Sequence, residues 1–149
     1  VKSNDRWLAV GLCIACLPLA ACAKPPVEEE VESRAVKVEQ IEGSDLSRVT
    51  VTEEAAKRLD LQTAPLRTVM IRGTLRKVIP YAALLYDKDG NTWAYTATED
   101  PLTFVRASVT VDYIDGETAV LSAGPAVGAV VVTTGASELY GSEEEFEEE

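Results

Sequence analysis

The chain has 149 residues, of which 46% are hydrophobic, enough apolar material for one domain with a real core. Its 25 acidic residues outnumber 14 basic ones, giving a formal charge of −11 and arguing against nucleic acid as a partner, since cationic side chains carry that attraction. There is no histidine, which removes histidine-activated serine and cysteine nucleophiles together with histidine-ligated zinc.

Lys2 and Arg6 precede an apolar run, 7–21, that has no charge and ends in small residues. This is the layout of a secretory signal peptide, expected to occupy 1–21. Leu19-Ala20-Ala21-Cys22 resembles the lipobox of bacterial lipoproteins. The resemblance implies cleavage before Cys22 and a diacylglycerol on its thiol. Each methylene buried in a bilayer contributes about 0.8 kcal/mol, so two or three acyl chains would hold the protein at a membrane. The expected location is the cell envelope, anchored by lipid and facing the periplasm or the exterior. Cys13 and Cys16 fall inside the export segment, so their spacing is not read as a redox or metal site.

Residues 22–45 read as a linker: Lys24-Pro25-Pro26 stiffens its start, and Glu28, Glu29, Glu30 and Glu32 spread it by repulsion. Val36, Val38 and Ile41 alternate weakly, enough for an edge strand at most. At the other end 142–149 is a block of glutamates around Phe146, expected to stay solvated as an acidic, disordered tail.

The fold is expected in 46–141. Val49, Thr50, Val51 and Thr52 are β-branched and predict a strand. Thr52 followed by Glu53 and Glu54 is a helix start, with Ala55, Ala56 and Leu59 on one face, predicting about two turns up to Asp60. Extended segments follow, broken at Pro65 and Gly73. Leu84-Leu85-Tyr86 and Thr92-Trp93-Ala94-Tyr95 flank Asp87-Lys88-Asp89-Gly90-Asn91, predicting a hairpin. The aspartates there lack the ligand spacing of a calcium loop. A second hairpin is predicted over 109–121, turning at Asp115-Gly116 in a type I′ turn. That register puts Val109, Val111, Tyr113, Thr118 and Val120 on one buried face. The run 129–133 is continuously apolar, as in a strand covered on both sides, and Gly135 and Gly141 mark the exit. These elements add up to a mainly β, compact barrel-like or roll-like domain with one short α-helix.

No phosphate-loop glycine pattern and no Gly-x-Ser-x-Gly elbow occurs, so neither catalytic nor metal-ligating residues are assigned. Paired carboxylates in a cleft would be the route to an enzyme, and sequence cannot place them. Trp93 and Tyr95 share a strand face, suited first to a core and second to a partner surface, as is Tyr81.

The stretches 78–86, 90–95, 109–121 and 124–135 resemble the C-terminal part of periplasmic adaptor subunits, the membrane fusion proteins of resistance-nodulation-division efflux pumps. Residues 49–66 resemble the strand and short helix leading into the membrane-proximal domain of such adaptors. The resemblance covers about two thirds of the chain and implies that domain alone, because the run from Arg67 to Lys77 passes almost directly to Val78, where a lipoyl domain and a helical hairpin would be inserted. It implies docking on an efflux transporter or on adaptor protomers, with Tyr81, Trp93 and Tyr95 as candidate contacts, no catalysis, and no cofactor beyond the lipid on Cys22. The single Met70 and the absence of histidine speak against copper or silver handover. The alternative from another class is an envelope sensor or small-ligand-binding lipoprotein, with a pocket lined by Trp93 and Tyr95.

Overall fold

A computed structural model describes residues 35–147, which belong to a compact unit spanning Glu32–Glu149. The export segment, Cys22 and most of the expected linker lie outside the described residues. Among the described residues no helix is long and apolar enough to cross a membrane.

The domain is mainly β, with two sheets among the described residues. β1 (Val36–Gln40) pairs antiparallel with β2 (Ser47–Val51), so the weak alternation at Val36 and Val38 is an edge strand and the domain begins earlier than the expected linker boundary at 45. α1 (Glu53–Arg58) starts where the sequence places it: the Thr52 hydroxyl accepts a hydrogen bond from the Ala55 N–H at 3.1 Å. Glu53 and Glu54 sit at the positive end of its dipole. The helix ends at Arg58, two residues before the expected Asp60, because Asp60 takes a left-handed conformation, φ 48°.

β3 (Gln62–Pro65) leads into a ribbon of β4 (Arg67–Ile71) and β5 (Thr74–Pro80). Its two-residue turn, Arg72-Gly73, has positive φ at both positions, 48° and 81°, as a type I′ turn requires. After a single 3-10 turn at Tyr81–Ala83, β6 (Leu85–Tyr86) and β7 (Thr92–Ala97) form the expected hairpin around 87–91. β8 (Thr103–Ser108), β9 (Thr110–Asp115), β10 (Thr118–Ala123) and β11 (Val130–Thr134) complete the strands. The larger sheet runs β1-β2-β8-β7-β11-β3, with β6 also on β7, and the smaller runs β4-β5-β10-β9.

The β9–β10 hairpin differs from expectation. Asp115 pairs with Thr118, so the turn is Gly116-Glu117 and only Gly116 has positive φ, the pattern of a type II′ turn. Tyr113 then opposes Val120, a shift of two residues that keeps those side chains on one face. A bulge at Asp112 turns Val111 to the other face, opposite Leu121. The expected buried stripe is therefore split: Val109 and Val111 pack inward, while Tyr113 is 41% exposed.

Two apolar cores result. One lies between the sheets and contains Leu66, Ile79, Ala94, Ala119, Leu121 and Val131. The other lies on the opposite face of the larger sheet and contains Val49, Val51, Tyr95, Phe104 and Val132. Val131 and Val132 thus face different cores, which is what the continuous apolar run of β11 predicts. The second core is closed by Ala55 of α1 and by Ala136 and Leu139 of a helix that the sequence reading missed, α2 (Ala136–Glu147).

α2 corrects two expectations. The domain has a second, twelve-residue helix, and 142–147 are helical where a solvated tail was expected. Gly141 lies inside this helix and does not mark an exit. Gly135, φ 87°, ends β11 and turns the chain, and its carbonyl accepts from the Leu139 N–H at 3.1 Å to open the helix.

Candidate functional site

The chemistry of the domain concentrates where α2 lies over the middle of the larger sheet. Tyr95 on β7 and Arg106 on β8 are directly paired across the strands. Tyr140 and Glu143 are one turn apart on α2 and so point to the same side. The Glu143 carboxylate is fully buried and collects three groups. The Tyr95 hydroxyl donates to Oε2 through a short contact. Arg106 Nε lies 3.0 Å from the same oxygen. The backbone N–H of Ser47 on β2 donates to Oε1 at 3.3 Å.

The guanidinium of Arg106 is held between two aromatic faces, its central carbon 5.3 Å from the Trp93 ring centre and 5.2 Å from that of Tyr140. Both contacts favour the cation. The Trp93 indole N–H donates in turn to Asp87 Oδ2 at 2.9 Å. A chain of polar contacts therefore runs from the 87–91 loop through Trp93, Arg106 and Glu143 to β2.

Burial raises the Tyr95 hydroxyl far above the ordinary phenol range, and its hydrogen bond to Glu143 adds to the rise. Tyr140 is also raised, first by burial and then by the Glu144 carboxylate. Both tyrosines are thus kept neutral, and Tyr95 acts only as a donor. Tyr95 and Glu143 have no exposed surface, so a ligand in solvent meets neither. What the arrangement does is fasten α2 to the sheet through a desolvated ion pair and the hydrogen bonds that Tyr95 and Ser47 donate to Glu143.

Asp87 is the other perturbed group. Its carboxylate accepts from the Asn91 side chain at 2.9 Å and from Trp93, and also from the backbone N–H groups of Asp89 and Asn91 at 3.0 and 2.8 Å. These donors favour the ionised form, the Asn91 side chain first and Trp93 next, and hold the pKa at about 2. The aspartate organises the hairpin loop, in keeping with turn chemistry over calcium binding. Because the pKa is depressed in the fold, the stabilisation is complete above the unfolded value near 3.8 and is lost as pH falls through about 2. The stabilities of the native chain and of Asp87→Asn, measured by chemical denaturation, should therefore converge between pH 5 and pH 2; a gap that stays constant would contradict this account.

The sequence-predicted contact residues are scattered by the fold. Tyr95 is fully buried and cannot touch a partner, which corrects its assignment as a contact residue. It also leaves the expected ligand pocket lined by Trp93 and Tyr95 without one of its walls. Trp93 is half-buried under Arg106. Tyr81 alone among the three is exposed, at 45%. The open grooves lie elsewhere: one of about 630 Å³ on the smaller sheet is lined by Ile71, Arg72, Thr74, Arg76, Asp112, Tyr113 and Asp115. Among the described residues no cluster of cysteine and acidic side chains has the arrangement to hold a metal ion. Cys22, the expected lipid site, lies outside the described residues.

Sequence reasoning missed Glu143, Arg106 and Tyr140. A signal for them was present, since Ala136, Leu139, Tyr140, Glu143 and Phe146 recur at helical spacing within the charged block. No protein-family model matches this chain, and no curated protein matches it.

Proposed function

We propose that the chain is a lipid-anchored module of a bacterial cell envelope that docks on a membrane transporter or on an adaptor partner, and that it works without catalysis. The observation that carries this reading is the contrast between interior and surface. The polar pair of Tyr95 and Glu143 is sealed inside, whereas large apolar side chains such as Met70, Leu75, Tyr81 and Tyr86 are outside. Exposed apolar side chains in such numbers suit contact with another surface. The resemblance of 49–141 to the membrane-proximal domain of efflux adaptors supports the kind of partner, and the lipobox at 19–22 supports the anchor.

The mechanism is tethering. An acyl group on Cys22 confines the domain to one surface, and the linker turns a weak protein contact into a near-intramolecular one. A photoreactive side chain introduced at Tyr81 of the full chain in cells tests the reading. Adducts identified as an envelope transporter or adaptor are expected. Illumination that yields no protein adduct, or turnover of a substrate by the purified chain, would overturn it.

A further inference from the structure

The β4–β5 ribbon carries apolar side chains that neither core uses. Met70 and Leu75 are a directly opposed cross-strand pair beside the Arg72-Gly73 turn, and each keeps 64% of its surface exposed. Val69, on the other face of the same ribbon, is 39% exposed. Apolar groups held out at a hairpin tip gain nothing from the fold and fit burial against something else.

Charge says what that something is. The chain has 25 acidic residues, yet none lies between 61 and 86, where Arg67, Arg72, Arg76 and Lys77 fall. Two of these cations are engaged inside the domain: Arg76 pairs with Asp112, and Lys77 donates to the carbonyls of Gly124 and Pro125 at 3.0 and 2.6 Å. Arg72 is exposed in the turn beside Met70 and Leu75, whereas Arg67 is exposed at the far end of β4, on the Val69 face. Asp112 and Asp115 share a groove with Arg72 and Arg76, where the charges balance. On a chain of charge −11 the Met70–Leu75 face, whose own ribbon bears no carboxylate, is therefore the face an anionic surface would accept while the acidic remainder is repelled.

We propose that the β4–β5 tip docks into an anionic lipid surface, Met70 and Leu75 entering the headgroup boundary while Arg72 meets a lipid phosphate. The occupant follows from the acylation of Cys22, on which this inference rests: the thirteen residues 23–35 span at most about 45 Å, so the domain stays within reach of the bilayer that holds its anchor. Docking through the tip would fix the orientation in which the domain presents its other surfaces to a partner.

The test uses residues 22–149 with Cys22→Ser, which retain the whole compact domain and carry no acyl chain, in co-flotation with vesicles. Binding to vesicles of phosphatidylethanolamine with phosphatidylglycerol is expected, and less to phosphatidylcholine alone. Met70→Asp with Leu75→Asp should lower the partition by at least about tenfold, and Arg72→Gln by about fivefold. An unchanged thermal midpoint shows that the variants remain folded. Equal binding to both vesicles, no binding, or an unaffected double variant would overturn the proposal. So would a dimer in solution that the double variant abolishes, which would give the tip to a second copy of the chain. The acylation itself is read separately, on the native chain in cells: a native chain that stays on membranes while the Cys22→Ser form ignores vesicles rejects the tip and leaves the anchor standing.

Discussion

Replacing Glu143 by alanine is expected to destabilise the domain by about 3–5 kcal/mol, a large share of the 5–15 kcal/mol that a domain typically has. The size follows from what is left behind. Arg106 is 8% exposed and Tyr95 has no exposure, so alanine takes the carboxylate from a desolvated cation and the acceptor from a buried phenol. The Ser47 N–H loses its acceptor as well. Removing only the Tyr95 hydroxyl, in Tyr95→Phe, deletes one donor and leaves the ion pair, so about 1–2 kcal/mol is expected. If the cost of Glu143→Ala comes from stranded polarity, removing both charges should recover part of it. Glu143→Leu with Arg106→Met should thus be less destabilised than Glu143→Ala alone. Urea denaturation followed by tryptophan fluorescence measures all three, since Trp93 stacks on Arg106. A loss below about 1 kcal/mol for Glu143→Ala would mean that α2 is not held in the way described.

The second large effect concerns the membrane. Under the proposed function Cys22→Ser removes the acyl chains, and with about 0.8 kcal/mol for each methylene they bury, the loss is many orders of magnitude in partition. Any contact made by the β4–β5 tip is weak beside that. The variant should therefore move from almost wholly membrane-bound to mostly soluble in fractionated cells, and stay folded, because the substitution lies outside the compact unit Glu32–Glu149. A variant that remains in the membrane fraction would show that something other than Cys22 holds the chain there.

The elements legible in the sequence are those decided locally. Thr52-Glu53-Glu54 caps α1 by contacts within one turn. The 87–91 loop is organised by its own aspartate. β11 is recognisable because both of its faces are apolar. The β9–β10 pairing was harder, since a bulge at Asp112 moves Val111 to the other face and no residue type announces a bulge. α2 was hidden for a different reason. Its run of glutamates reads as a solvated tail until one of them, Glu143, meets Arg106 from a strand far earlier in the chain. Charge repulsion along a segment is a local property, and a buried partner for one of its charges is not. The same fact buries Tyr95: its strand face is legible in the alternation of β7, but what covers that face comes from the segment expected to be disordered.

Under the proposed function the folded domain is carried on a membrane by lipid at Cys22. Intact-mass analysis of the chain extracted from cell membranes tests it most directly. A polypeptide that begins at Cys22 and is heavier than its sequence by a diacylglyceryl group, with or without a further acyl chain, is expected. An unmodified Cys22 preceded by the intact 7–21 run would contradict it.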